Sequence, residues 1–503
     1  MKKARRTFLG ARLVLCLAAA LHAGAGQDPP AGTESAVDWA PQGRQRYQAN
    51  LWSISRHPVP EWFHDAKLGI FPVWGIYSVP GWATPTGELG KVKPTEWFLK
   101  NPYAEWYWNT MKLKESETWT RHLKMYGADF DYADFIPAFR QESRKWDPRA
   151  WARLFKEAGG RYVVFTAKFA DGYPLWPTAV KHPRLPVNHI ADDRDYVGEL
   201  TTAVRDSGLR MGLYYCGGMD WSFIETPVQT FMDVFLTIPQ SEEYARVADA
   251  HWRELIDRYQ PAILWNDIAY PRVSDFEGIV SDYYNRHPDG LVNDRWGRTS
   301  DVADFKTPEY AIFNEITPKK WESTRGLGYS FGYNQAEGPE HMLSADQLVD
   351  LLADIVSKNG NLLLAVGPRA DGSIPDLQAE RLRELGQWLA VNGDAIYGTR
   401  FWAAAEGVAG DGLRVRFTGK ADSVYAILLD KPAGAEVVLR DIWFAQDATV
   451  RLLGGGPLRW RQDGKDVHVT LPGRLPDSYA YAMKITPKPW KLVNAPTVST
   501  RTE

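Results

Sequence analysis

Between residues 45 and 400, short apolar runs alternate with longer stretches of helical periodicity. The runs at 68–71, 162–166, 211–215, 262–265, 290–292 and 361–366 are nearly continuous in Val, Ile, Leu, Phe, Tyr and Trp. Such runs predict strands buried on both faces. Helical patterns over 148–157, 196–206, 242–259, 276–284, 345–357 and 376–392 lie between them. Gly159-Gly160 supplies a C-cap signal after the first. Repeated strand-then-helix units predict parallel strands wrapped by helices. The polar or glycine-rich residues after each strand favour a (β/α) barrel over an open sheet, with the functional site at the C-terminal strand ends.

Beyond Phe401 the pattern changes to period two. Segments 413–417, 424–427, 450–453 and 467–469 alternate apolar and polar residues between Gly, Asp and Lys turns, predicting a small antiparallel β-sandwich. The expected organisation is a segment 1–25, a leader 26–44, a barrel 45–398, a sandwich 402–488 and a tail 489–503.

The first segment is read as a secretory signal. Lys2, Lys3, Arg5 and Arg6 precede an apolar run over 13–21, and Ala23-Gly24-Ala25 offers a small-residue cleavage site. Arg5-Arg6-Thr7-Phe8-Leu9 resembles a twin-arginine export signal, which implies an exported, periplasmic or extracellular protein. The run is too short for a membrane span. Cleavage would move the formal charge from −3 to −8 and leave no basic block, which argues against nucleic acid or an anionic membrane as partner. Only Cys216 would remain, so no intramolecular disulfide is expected. The ten histidines show no zinc-type spacing, and neither a metal nor a cofactor is expected. Tryptophan is abundant, at 22 residues, which is compatible with stacking on sugar faces.

One stretch stands out chemically. The run 262–265 ends in Asn266-Asp267, and Leu291-Val292 leads into Asn293-Asp294-Arg295, with Glu309 following. A carboxylate at the end of a buried strand pays a desolvation penalty unless partnered. Two carboxylates and a cation at one rim would suit a retaining glycosidase. On these residues alone the plainer reading is preferred: Asp267 caps a helix, and Asp294 and Arg295 form a local ion pair.

The ordered motifs change that balance. EWFHDAKLGIF, SVPGWATPTGELG, NPYAEWY, YYCGGMDW, LWNDIAYP, VNDRWG, DFKTPEY, WESTRGLGYSFGYN and SKNGNLLLAVGP together resemble the α-L-fucosidases of glycoside hydrolase family 29 over about residues 45–400. The resemblance implies an α/β protein, a distorted (β/α)8-like barrel followed by a small antiparallel β-sandwich. It also implies an exo-acting retaining hydrolase that releases terminal fucose or a related sugar from an oligosaccharide or glycoconjugate. By motif, Asp267 is similar to the nucleophile and Glu309 to the acid/base. Arg295 is similar to a residue beside the acid/base, and Glu105, Trp106, Tyr214 and Phe331 to the lining of the sugar pocket.

Three departures stand at positions where the family carries fucose-binding histidines: Val73, Phe169 and Ala170. Ala365 replaces a family asparagine. An apolar wall is therefore expected beside Phe169, with Lys168 and Asp171 as the nearest residues able to restore polar contacts. Two alternatives follow, a retaining glycosidase of different sugar specificity and a catalytically silent carbohydrate-binding protein. The second ranks last, because both acids are present.

Overall fold

The computed structural model describes residues 46–185, 193–224, 226–298 and 302–491. The proposed signal and the whole of the leader lie outside these residues. Among the described residues, no helix is long and apolar enough to cross a membrane.

Seven parallel strands form the barrel sheet: β1 (Leu68–Pro72), β2 (Tyr162–Lys168), β3 (Arg210–Cys216), β4 (Ile263–Asp267), β5 (Leu291–Val292), β6 (Trp321–Gly326) and β7 (Gly360–Val366). Their spatial order is β5-β4-β3-β2-β1-β7-β6. Between β5 and β6 the chain 305–309 bridges both edges in parallel, Asn293 to Phe305 and then Lys306 to Trp321 and Glu309 to Thr324. This stretch occupies the eighth position of the distorted barrel. It stays irregular because Pro308 has no N–H to give the ladder and Tyr310 turns to a positive φ of 46°.

Strand parity decides what faces inward. Ile263, Trp265 and Phe71 join Tyr162, Val164, Tyr214, Leu363 and Ala365 in the core enclosed by the strands. Leu264, Val163, Phe165, Leu213 and Leu364 point outward to the helix layer, where Trp151, Phe155, Leu200, Trp252 and Leu352 cover them. The parity of Ile263 and Trp265 carries Asp267 to the inner rim. On β2 the parity breaks: Thr166 pairs with Tyr214, but Lys168 pairs with Tyr215. That bulge re-aims the side chains that follow.

The C-terminal domain is one eight-stranded antiparallel sheet. In spatial order its strands are Glu436–Leu439, Asp466–Thr470, Pro457–Asp463, Thr449–Leu452, Tyr481–Thr486, Val424–Leu428, Arg414–Gly419 and Glu406–Val408. The sheet curls over a single core that includes Val415, Phe417, Val437, Leu439, Val450 and Val467, so its two halves face each other. Tyr425, Ile427, Ala480 and Ala482 on its other face join the barrel's helix-side core. Trp388 Nε1 donates to the Ala480 carbonyl at 3.0 Å, and Lys358 pairs with Glu406 at 2.6 Å. Trp490–Lys491, placed by the sequence in the tail, pairs with Ile442–Trp443.

Candidate active site

At the C-terminal rim of the strands lies a cavity of about 170 Å³. Pockets for drug-sized ligands span roughly 300–1,000 Å³, so this one suits a single sugar ring. Glu105, Trp106, Phe169, Tyr214, Asp267, Arg295, Glu309 and Phe331 all line it.

Arg295 is the centre of the polar side. Its Nη1 donates to Asp267 Oδ1 at 3.0 Å and to Glu309 Oε2 at 2.8 Å. The two carboxylates thus lie within roughly 6 Å of each other, consistent with the about 5–5.5 Å separation of retaining enzymes. The guanidinium is fixed from behind, Nε donating to Thr307 Oγ1 and Nη2 to the Thr307 carbonyl. Asp294 accepts from both the Thr307 N–H and its hydroxyl, so Asp294 acts as a brace and not as an ion-pair partner of Arg295. Burial pulls the guanidinium's proton affinity down, but Asp267 and Glu309 reverse this and raise it, keeping Arg295 charged. It also lies over the Trp265 ring at 4.8 Å.

The remaining carboxylate oxygens are also occupied. The Tyr214 hydroxyl donates to Asp267 Oδ2 and the Tyr103 hydroxyl to Glu309 Oε1, each at 2.8 Å. Directly after Asp267, Ile268 and Ala269 adopt positive φ of 57° and 65°. Such strain in non-glycine residues clusters at functional sites. The turn holds because the Ala269 N–H donates to the Arg295 carbonyl and Asn266 Nδ2 to the Ala269 carbonyl. Gly218 makes room for it: a Cβ there would sit 1.5 Å from the Ile268 carbonyl oxygen.

Glu105 is buried, and its Oε2 accepts from the Gly332 N–H at 2.9 Å and from the Ser330 hydroxyl at 3.3 Å. Burial pushes its carboxyl up to about 7. Thr324 adds a hydroxyl to the lining that has no partner among the described residues. Phe71, Val73, Phe169, Trp106 and Phe331 supply aromatic and aliphatic parts of the lining. Phe169 packs between Tyr77, Tyr214 and Trp221 at centroid distances of 5.6, 6.2 and 6.0 Å.

The expectation that Lys168 or Asp171 restores polar contacts is overturned. The β2 bulge turns Lys168 outward over the Tyr215 ring, where it pairs with buried Asp220 at 2.9 Å. Asp171 accepts from the Tyr132 hydroxyl at 2.8 Å, and neither residue lines the cavity. Ala170 is fully buried and does not reach the cavity either. Tyr103 and Thr307 are site residues that the motifs contained but sequence reasoning did not single out. Their positions, two residues before Glu105 and two before Glu309, were the available signal.

A (β/α) barrel that presents two carboxylates and a shared guanidinium to one sugar-sized cavity has the make-up of a glycoside hydrolase. A family model described as alpha-L-fucosidase matches residues 36–394, and one described as alpha-L-fucosidase C-terminal domain matches 412–486. The chain belongs to the alpha-L-fucosidase family. It is 32% identical to the tissue alpha-L-fucosidase of Bos taurus over 502 residues, 96% of this chain and 99% of that one. The alpha-L-fucosidase of Branchiostoma floridae is 32% identical, covering 88% and 96%. The solved Thermotoga maritima alpha-fucosidase in complex with fucose is 46% identical with TM-score 0.80, covering 88% of this chain and all of that one. Another solved alpha-L-fucosidase is 48% identical, with TM-score 0.83 and the same coverage.

Proposed function

We propose that this chain releases a terminal fucose or closely related sugar by double displacement, with Asp267 as nucleophile and Glu309 as acid and then base. The carrying observation is the pair of carboxylates on the Arg295 guanidinium at the rim of a monosaccharide-sized cavity. In the first step Asp267 attacks the anomeric carbon while Glu309 protonates the leaving oxygen. In the second, Glu309 takes a proton from water, which displaces Asp267 from the sugar. Arg295 and Tyr214 hold the Asp267 carboxylate in line and stabilise it as it departs. Proton NMR of the first-formed product tests this: the anomeric configuration is kept, and an inverted product removes Asp267 from the nucleophile's role.

The apolar wall supports a narrower substrate choice. Val73 and Phe169 offer no hydrogen bond, so a hydroxyl buried against them would lose about 1–3 kcal/mol. The preferred sugar presents a deoxygenated or apolar edge on that side. Export to the periplasm or beyond is the reading of residues 1–25, supported by the arginine pair and the apolar run. N-terminal sequencing of the mature protein from its native host tests it, and an uncut cytoplasmic chain would refute it.

A further inference from the structure

The half-buried lining of the cavity is apolar apart from the catalytic trio: Leu89, Phe231, Val234 and Ile268. Two of these come from one short helix, Phe231–Leu236, which has no fully buried residue. Phe231 packs on Phe98 at 5.1 Å and Trp97 at 6.4 Å, and with Val234 it faces the cavity. The other face of the helix is exposed and equally apolar: Met232 at 50%, Phe235 at 44% and Leu236 at 74%. Residues 229–240 hold one ionisable side chain, Asp233, which is tied to the N–H groups of Gln229 and Thr230 as part of the helix cap. The segment leading into the helix is fixed by paired bonds between Asn109 and Val228. An anchored apolar surface therefore runs from the catalytic cavity out onto the protein exterior.

Resting on the proposed hydrolysis, we infer that this surface is a leaving-group subsite for an apolar aglycone, such as an alkyl chain or a hydrophobic ring system. The cavity holds one sugar ring, so the bond to be cleaved lies at Asp267 and Glu309, and the aglycone must leave across the adjoining surface. A second saccharide there would meet Phe231, Val234 and Ile268, none of which carries a side-chain hydrogen-bonding group. A hydrocarbon would remove the exposed side chains from water. Three exposed side chains are far short of the roughly 800 Å² per partner that a stable protein interface buries, which disfavours a second copy as occupant. Contact with the aglycone also supplies binding energy that the apolar sugar-side wall does not.

The test uses ethyl, butyl, hexyl and octyl α-L-fucosides, whose leaving alcohols differ little in acidity. The expected result is a rise in kcat/KM with chain length, approaching about fourfold per methylene that becomes buried, and a flattened series in Met232→Ser/Phe235→Ser/Leu236→Ser. A series already flat in the wild type overturns the inference while leaving the hydrolytic reading intact. If no member is hydrolysed, that reading fails, and tryptophan fluorescence of Asp267→Asn protein still reads the subsite. There octyl fucoside must bind at least tenfold more tightly than ethyl fucoside, and equal binding overturns the inference. Concentration-dependent dimers in sedimentation velocity, abolished by the triple substitution, would assign the surface to a second copy instead.

Discussion

Glu105→Gln removes one buried titratable group while keeping its hydrogen bonds from Gly332 and Ser330. The amide oxygen of Gln can accept from the Gly332 N–H and the Ser330 hydroxyl as the carboxylate does, and the side chain keeps its volume. Burial raises the carboxyl from its ordinary 4.5 to about 7. The folded protein thus binds this proton more tightly than the unfolded chain. The favourable contribution is complete below pH 4.5 and lost as pH rises through 7. The loss amounts to roughly 3 kcal/mol, at 1.36 kcal/mol for each tenfold change in proton affinity. Glu337, pushed up to about 8, and Glu322, to about 7, titrate in both proteins and largely cancel in the comparison. Chemical denaturation of the barrel at pH 5 and pH 8 is the assay. Relative to wild type, the Gln variant gains about 2–3 kcal/mol between the two pH values. Parallel stability profiles would refute the claim that Glu105 is protonated on burial.

Glu309→Ala should depress turnover of glycosides with poor leaving groups far more than that of activated aryl glycosides, with azide restoring part of it; equal losses without rescue would remove Glu309 from the acid/base role. Simple aryl α-L-fucosides should be cleaved weakly by the wild type, and Val73→His/Phe169→His should raise kcat/KM at least about tenfold, since each unpaired hydroxyl costs about 1–3 kcal/mol. Ala170 is left unchanged there, because a histidine in that closed space would overpack it. Unchanged kinetics in the double variant would show that these two positions do not face the sugar.

Much of the barrel could be read because parallel strands buried on both faces leave continuous apolar runs, as at Ile263-Leu264-Trp265 and Leu362-Leu363-Leu364-Ala365-Val366. The strand Trp321–Gly326 left no such run. It buries Glu322, Ser323, Thr324 and Arg325, and three of these are satisfied by distant partners. Trp265 and Tyr162 donate to Glu322, Ser323 donates to the Ala311 carbonyl, and Arg325 pairs with Glu88. No local pattern encodes such pairings. The eighth position was hidden by Pro308. Asp267 was visible as an acid closing an apolar run, whereas Glu309, after Lys306-Thr307-Pro308, had no periodic signal and rested on the motif resemblance. Lys168 and Asp171 were misplaced because a one-residue bulge leaves no mark in composition.

In the proposed mechanism Asp267 forms the covalent bond to the sugar. Incubation with a 2-deoxy-2-fluoro-fucosyl fluoride, followed by proteolysis and peptide mass spectrometry, measures it directly. The expected result is one added fluorosugar on the peptide carrying Leu264-Trp265-Asn266-Asp267, absent from the Asp267→Asn variant. A label on any other carboxylate, Glu309 included, would contradict it.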